Sequence, residues 1–277
     1  MEKIINYSKA LRDLNISYLG KTQQSTKLQY SYNNGYETYG IYLAPATKAR
    51  DAQHPNINVC PFSKMCAESC LEGSGQNKCA TLHLNNPKNE LSHIDKARIK
   101  KTHLFYDNRD LFMRLVISEI NRFQNHAKKR NMGFAVRLNC TSDLSPELFK
   151  FEDKNILELF PNVQFYDYTK VPNRLFLPNK YHNYYVVFSY DGTNWGICEW
   201  YLQRGGNVAV VFDLYDDKGK QILPNTFKGY EVIDGNKSDI RFTEGGGKIV
   251  GLHYHRVAND YLSGKYKPKD TPFVIRY

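Results

Sequence analysis

Apolar side chains recur at Phe112, Leu115, Val116, Ile120 and Phe123, the 3.6-residue spacing of one helical face, and Asn108 stands ahead of them as a cap. An amphipathic helix is therefore expected within residues 104–126. Beyond it the pattern changes to short, nearly continuous apolar runs: FAVRL (134–138), VQFYDY (163–168), YYVVFS (184–189), NVAVVF (207–212), YEVI (230–233) and KIVGL (248–252). Runs without polar alternation predict strands buried on both faces, as in a parallel sheet with helical crossovers. YGIYL (39–43) adds an earlier strand, and Ser145-Pro146-Glu147 reads as the start of a helix between the first two runs.

This pattern predicts an α/β fold, a partial or complete parallel α/β barrel of the TIM type, with an open doubly wound sheet as the competitor. Residues 1–38 read as an N-terminal extension, an initial helix and then a polar connection, and 39–277 as a single domain carrying a cysteine-rich loop over 60–79. Polar groups follow each run, as they do where a barrel carries its chemistry at the carboxyl ends of its strands. Asn139, Ser142 and Asp143 follow FAVRL, while Asp167 and Lys170 follow VQF. Ser189 and Asp191 close YYVVF, Asp213 follows NVAVVF, Asp234 follows YEVI, and His253 and His255 follow KIVGL. Asp143, Asp167 and Lys170 are the catalytic candidates, the carboxylates to orient a substrate or ribose and Lys170 beside Asp167. Asn139, Ser142, Ser189 and Asp213 are candidates for holding a cofactor.

No window has the length and apolarity of a membrane span, and the first 15 residues lack the pattern of a secretion signal, so a soluble protein inside a cell is expected. The 38 basic against 28 acidic residues give a net charge of +10. Residues 87–130 carry 11 Lys or Arg against five acids, more than half of that excess. Such a stripe, in an aromatic-rich chain, suits a nucleic acid or nucleotide, and equally a solvated helix face. Arg98 and Lys101 in this stretch could instead grip the carboxylate or phosphate of a small cofactor. G-x-S-x-G, Walker and H-E-x-x-H motifs are absent.

Cys60, Cys66 and Cys70 are spaced CxxxxxCxxxC on a polar loop, with Cys79 following, whereas Cys140 and Cys198 stand alone in apolar segments. Three thiolates can hold three irons of a [4Fe-4S] cubane and leave the fourth open to a further ligand. A zinc site would want a fourth protein ligand, for which Cys79 or His83 is available. Together with Leu71-Glu72-Gly73-Ser74-Gly75 behind it, the loop resembles the layout of radical S-adenosylmethionine enzymes, although their usual spacing is CxxxCxxC and Ser69 stands where they carry an aromatic residue. That likeness implies S-adenosylmethionine as a cofactor.

A second resemblance is carried by YGIYLAPA, NVCPFSKMCAESCLEGSG, ARIKKTHLFYDNRDLF, AVRLNCTSDL, FPNVQFYDYTK, NVAVVF, VIDGNKSDIRF and GKIVGL. These stretches are similar to the phage-borne gene product 88 family, over roughly residues 25–255. That family brings no activity with it. It implies a phage context and the host cytoplasm, and its cysteine motif falls on Cys60, Cys66 and Cys70. Two functions are then open: an iron–sulfur protein resembling radical S-adenosylmethionine enzymes, or a non-enzymatic phage protein with a structural metal that binds nucleic acid or a host protein through its basic face.

Overall fold

The computed structural model of the chain describes residues 6–22, 26–63, 66, 70, 91–255 and 271–276. They divide into two compact units, residues 1–61 with 93–166 and residues 62–92 with 167–277. The first unit opens with α1 (Tyr7–Asp13), whose Asn6 side chain accepts from Lys9 N–H as an N-cap. Then come β1 (Gly20–Thr22), α2 (Thr26–Asn33) and β2 (Tyr36–Ile41), with Gly35 at φ +85° turning the chain from α2 into β2. The long helical pattern forms two helices, α3 (His93–Asp107) and α4 (Arg109–Lys129). They part at Asn108, whose side chain accepts from Leu111 N–H at 3.0 Å and caps α4. One face of α4, including Phe112, Leu115, Val116 and Ile120, is buried, and β3 (Gly133–Arg137) runs parallel to β2 from Tyr36↔Gly133 to Gly40↔Arg137.

The helix expected from Ser145 shrinks to a single 3-10 turn, Pro146–Leu148. Glu152 and Asp153, both at positive φ, turn the chain into a hairpin of β4 (Lys150–Phe151) and β5 (Lys154–Asn155). A capping box between Asn155 and Glu158 then starts the short α5 (Ile156–Leu159). β6 (Gln164–Thr169) lies parallel to β3 through Ala135↔Gln164 and Val136↔Phe165.

The second unit starts within β6. It continues with α6 (Leu177–Lys180), β7 (Tyr184–Ser189), α7 (Trp195–Leu202) and β8 (Asn207–Phe212), every residue of which is buried. After a hairpin of β9 (Leu214–Tyr215) and β10 (Gln221–Ile222) come β11 (Thr226–Phe227), β12 (Tyr230–Asp234), β13 (Ile249–His253) and β14 (Val274–Ile275). Strand order here is β6-β7-β8-β13-β12-β11, parallel from β7 to β12, with β14 parallel to the carboxyl end of β8. Val187, Ala209 and Val250 form a core cluster across β7, β8 and β13.

The architecture is thus mixed α/β with a largely parallel sheet, and among the described residues no barrel closes. Two features explain the open edges. In the first unit β1 pairs antiparallel with β2 and occupies its outer edge. In the second, order reverses after β8, since β13 and not β12 adjoins it, and the antiparallel β11 ends the series.

The N-terminal segments are fixed by one carboxylate. Glu119 of α4, fully buried, accepts from the backbone N–H of Leu19 at 3.0 Å and of Gly20 at 2.8 Å, and from the hydroxyls of Tyr39 and Tyr7. Gly20 is required there, because a Cβ would lie 2.4 Å from the Tyr39 ring. Lys101 of α3 is also buried, with its ammonium 4.4 Å from the centre of the Tyr18 ring. Burial pushes its pKa down to about 8, against the pull of Glu119.

Two measurements check this arrangement. Glu119→Gln turns an amide N–H₂ toward donors that need an acceptor, and should lower unfolding free energy by about 3 kcal/mol in urea titration, whereas Tyr39→Phe should cost about 1–2 kcal/mol. Lys101 sheds its proton more readily folded than unfolded, so the unfolded chain binds more protons between about pH 8 and the ordinary lysine value of 10.5. Stability should therefore rise with pH through that window in the natural chain and not in Lys101→Met, which should be the more stable of the two at pH 7 by roughly 2–3 kcal/mol.

Candidate functional site

In the first unit the loops leaving β2 and β3 are tied together at the carboxyl ends of their strands. Cys140 N–H donates to Ile41 O at 3.1 Å, Thr141 Oγ1 to Leu43 O at 2.6 Å, and Asp143 N–H to Val59 O at 2.8 Å. Cys60 sits at this junction, half-buried. Its Sγ accepts from Ala46 N–H at 3.4 Å and lies 3.8 Å from Thr141 O. Ala46 holds φ at +47°, a left-handed conformation rare for a residue with a Cβ, and its own carbonyl accepts from Val59 N–H at 3.0 Å. The Cys60 sulfur is thus placed by backbone groups of both tied loops, the Ala46 N–H and the Thr141 carbonyl, at the carboxyl ends of β2 and β3.

Asn139 and Ser142, expected to hold a cofactor, build the second loop. Asn139 Oδ1 accepts from Ser142 Oγ at 2.8 Å and Leu144 N–H at 2.9 Å, while its amide donates to Leu144 O at 3.0 Å. Arg98 on α3 lies over the ring of Tyr42, just past β2, with its guanidinium carbon 5.6 Å from the ring centre. Below the loops is an apolar cavity of roughly 50 Å³, lined by Ile41, Phe105, Phe112, Met113, Leu138 and Phe149 among others. It is too small for even a benzene-sized ligand, which needs about 150 Å³. It is a packing space and not a substrate pocket.

The candidates of the second unit are engaged within it. Asp167 lies inside β6 and not at its end, 1% exposed, and its Oδ2 accepts from Arg174 Nη2 and from Tyr184 Oη, both at 3.1 Å. Asp213 Oδ2 accepts from Arg276 Nε at 2.9 Å, and the Lys170 ammonium stands 5.3 Å from the centre of the Phe273 ring. Asp191 closes a turn by accepting from the N–H groups of Thr193 and Asn194, and the Ser189 carbonyl accepts from Asn194 Nδ2. Asp234 is drawn below the usual carboxylate range, in spite of its partial burial, by hydrogen bonds from Asn236 and by the charges of Lys237 and His253. Cys198 is buried, and burial, reinforced by Asp191, pushes its thiol up to about 12, which leaves it inert. Cys66 and Cys70 are half-buried. Cys79, His83 and Leu71 to Gly75 lie outside the described residues.

The basic stretch does not present one face. Besides the buried Lys101, Arg109 stacks on Phe105 and Phe149, Arg114 pairs with Asp110, and Arg122 covers Tyr7 and Phe123. Lys96 and Lys100 of α3, Arg122, and Lys128, Lys129 and Arg130 at the end of α4 are exposed, the last three where the negative end of the helix dipole favours cations.

Sequence reasoning passed over a cluster on the loop between β2 and Cys60. His54 is held between two carboxylates, Nδ1 2.8 Å from Asp51 Oδ1 and Nε2 2.8 Å from Asp107 Oδ1. The ring of His103 stacks on it at 4.1 Å, with Nε2 2.7 Å from Ala49 O and 3.5 Å from Asp51 Oδ2. Hydrogen bonds from His54 to Asp107 and Asp51 raise its pKa, and His54 and His103 in turn lower that of Asp51, against the slight burial of the carboxyl. The available signal was Asp51-x-x-His54 followed by His103-x-x-x-Asp107, the latter one helical turn apart on α3.

No helix among the described residues is long and apolar enough to cross a membrane. No curated protein and no solved structure matches the chain. The family model described as gene product 88 matches residues 13–263, most of the chain. It takes in both tied loops, the cysteine motif and the strands from β1 to β13, and on that match the chain belongs to the gene product 88 family.

Proposed function

We propose that this member of a phage gene-product family is a metallocofactor protein in which Cys60, Cys66 and Cys70 hold a [4Fe-4S] cluster, and in which the loops after β2 and β3 face the substrate or a second cofactor. The observation that carries the reading is the surrounding of Cys60, a sulfur that receives a backbone N–H at the carboxyl end of parallel strands. That end of an open α/β sheet is where such folds commonly bind their ligands. For Cys66 and Cys70 the support is their spacing in the sequence.

A cluster held by three thiolates would leave one iron open to a chelating cofactor, of which S-adenosylmethionine is the one the cysteine loop resembles most. The chain's own contribution would be to place the Cys60 sulfur at the strand ends and to fix the neighbouring loop through Asn139 and Ser142. Asp143 and Arg98, beside the same strand ends, would offer a carboxylate and a guanidinium for the hydroxyls or the anionic group of a nucleotide-like substrate. Asp167, paired with Arg174 in the interior, is better suited to holding β6 than to catalysis. The second reading is structural zinc on the same cysteines, with nucleic acid held by Lys128, Lys129 and Arg130, and the exposure of those three favours it.

Anaerobic reconstitution with iron and sulfide, followed by metal analysis, separates the two. A brown protein with about four irons per chain supports the cluster, and each of Cys60→Ala, Cys66→Ala and Cys70→Ala should abolish it. Stoichiometric zinc in the purified chain, with no iron taken up, would overturn the proposal in favour of the second reading.

A further inference from the structure

The cluster of Asp51, His54 and His103 is independent of the cysteine motif. One ligand atom from each of the three lies within 4.8 Å of the other two. All three belong to the first unit, Asp51 and His54 on the loop after β2 and His103 on the last turns of α3. Asp51 is exposed and the two histidines are half-buried, so the donors are reachable from solvent while their backbones are fixed. Loop and helix are joined around them: Arg50 Nε donates to Ile57 O at 2.9 Å, and Tyr106 Oη donates to Asn58 O at 3.2 Å.

From this arrangement we infer that Asp51, His54 and His103 form a binding site for a divalent transition-metal ion of the zinc class, with Asp107 as the residue that orients His54. Two imidazole nitrogens and one carboxylate are a donor set suited to such an ion, and they leave a coordination position for water on the exposed side. Asp107 accepts the Nε2 hydrogen of His54 and so directs Nδ1 toward Asp51, as a carboxylate behind a metal-bound histidine does. The hydrogen bond between His54 Nδ1 and Asp51 Oδ1 marks the place of the ion. On binding, the proton on Nδ1 leaves to solvent, a nitrogen–metal and an oxygen–metal bond form, and one proton is released per ion. Tetrahedral ligation needs a nitrogen–oxygen separation of about 3.4 Å. The 2.8 Å contact must therefore widen by about 0.6 Å, which an exposed loop carboxylate can accommodate. His103 must tilt out of its parallel stack and exchange its Nε2–H bond to Ala49 O for a second nitrogen–metal bond, the neutral ring changing tautomer as the Nε2 proton passes through solvent to Nδ1. The carboxyl end of α3, next to His103 and Asp107, adds a field that favours positive charge.

The inference stands apart from the proposed cluster, and the probe is chosen to keep the two apart. Titration of the full-length chain with Co²⁺ under aerobic conditions, followed by visible absorption, should show an ion whose bands carry no thiolate charge transfer and persist in Cys60→Ala, and Zn²⁺ should displace it. His54→Ala and His103→Ala should each weaken binding at least tenfold, and Asp107→Asn, which keeps all three ligands, by about 10–100-fold. Circular dichroism establishes that each variant is folded, and ring ¹⁵N shifts of His54 and His103 on Zn²⁺ addition give a readout that does not depend on the variants. Affinity unchanged in both histidine variants would overturn the inference, as would no binding at millimolar Co²⁺. Loss of all cobalt absorption in Cys60→Ala would also overturn it and place the metal on the cysteines alone.

Discussion

Glu119 is the constraint on which the first unit depends. A carboxylate buried in an apolar interior is tolerated only when its lone pairs are matched by donors, and here two backbone amides and two tyrosine hydroxyls match them. The amides belong to the start of β1, so the same bonds fix the register of β1 against β2. That register gives β2 an antiparallel neighbour on its outer side. The sheet is thereby held open at that edge, and the loop leaving β2 starts from a fixed strand. A charge that looks like one more acid on an amphipathic helix therefore sets where the cysteine loop begins.

Most of the parallel strands were legible because their signal is local. A run such as NVAVVF has only one economical fate, burial on both faces, and β8 is buried at every position. The cap at Asn108 was legible for the same reason. Its other consequence was not, because whether the helix before a cap ends or continues depends on packing. The segment after Ser145 misled because Glu152 and Asp153 are ordinary helix-surface residues by pattern, yet adopt positive φ and turn a hairpin. Closure of a barrel is a property of the two edge strands, and those edges are set by β1 and by the reversed order of β12 and β13, neither of which leaves a periodic trace.

The site shows the same division. Cysteine spacing is visible in a sequence whatever the fold does, so the thiols attracted attention first. Asp51, His54, His103 and Asp107 are drawn together by the fold from positions up to 56 residues apart, and single histidines carry no spacing rule. The strand-end acids shared a different fate. Asp167 and Asp213 both have arginine partners, Arg174 and Arg276, that the order of residues does not reveal. An acid after a strand is a site residue only when the structure has not already used it.

β14 has a consequence for how the second unit is reached. Val211 and Phe212 of β8 pair with Val274 and Ile275, strands separated by about sixty residues of chain. A contact of that sequence separation forms late and slowly, because a long loop must be closed before the pairing rewards it. Until it forms, the carboxyl end of the most apolar strand in the unit has an unpaired edge, open to the strands of other molecules. Pairing with β14 covers that edge in the folded chain, so a strand drawn from near residue 275 shields the unit from edge-to-edge association.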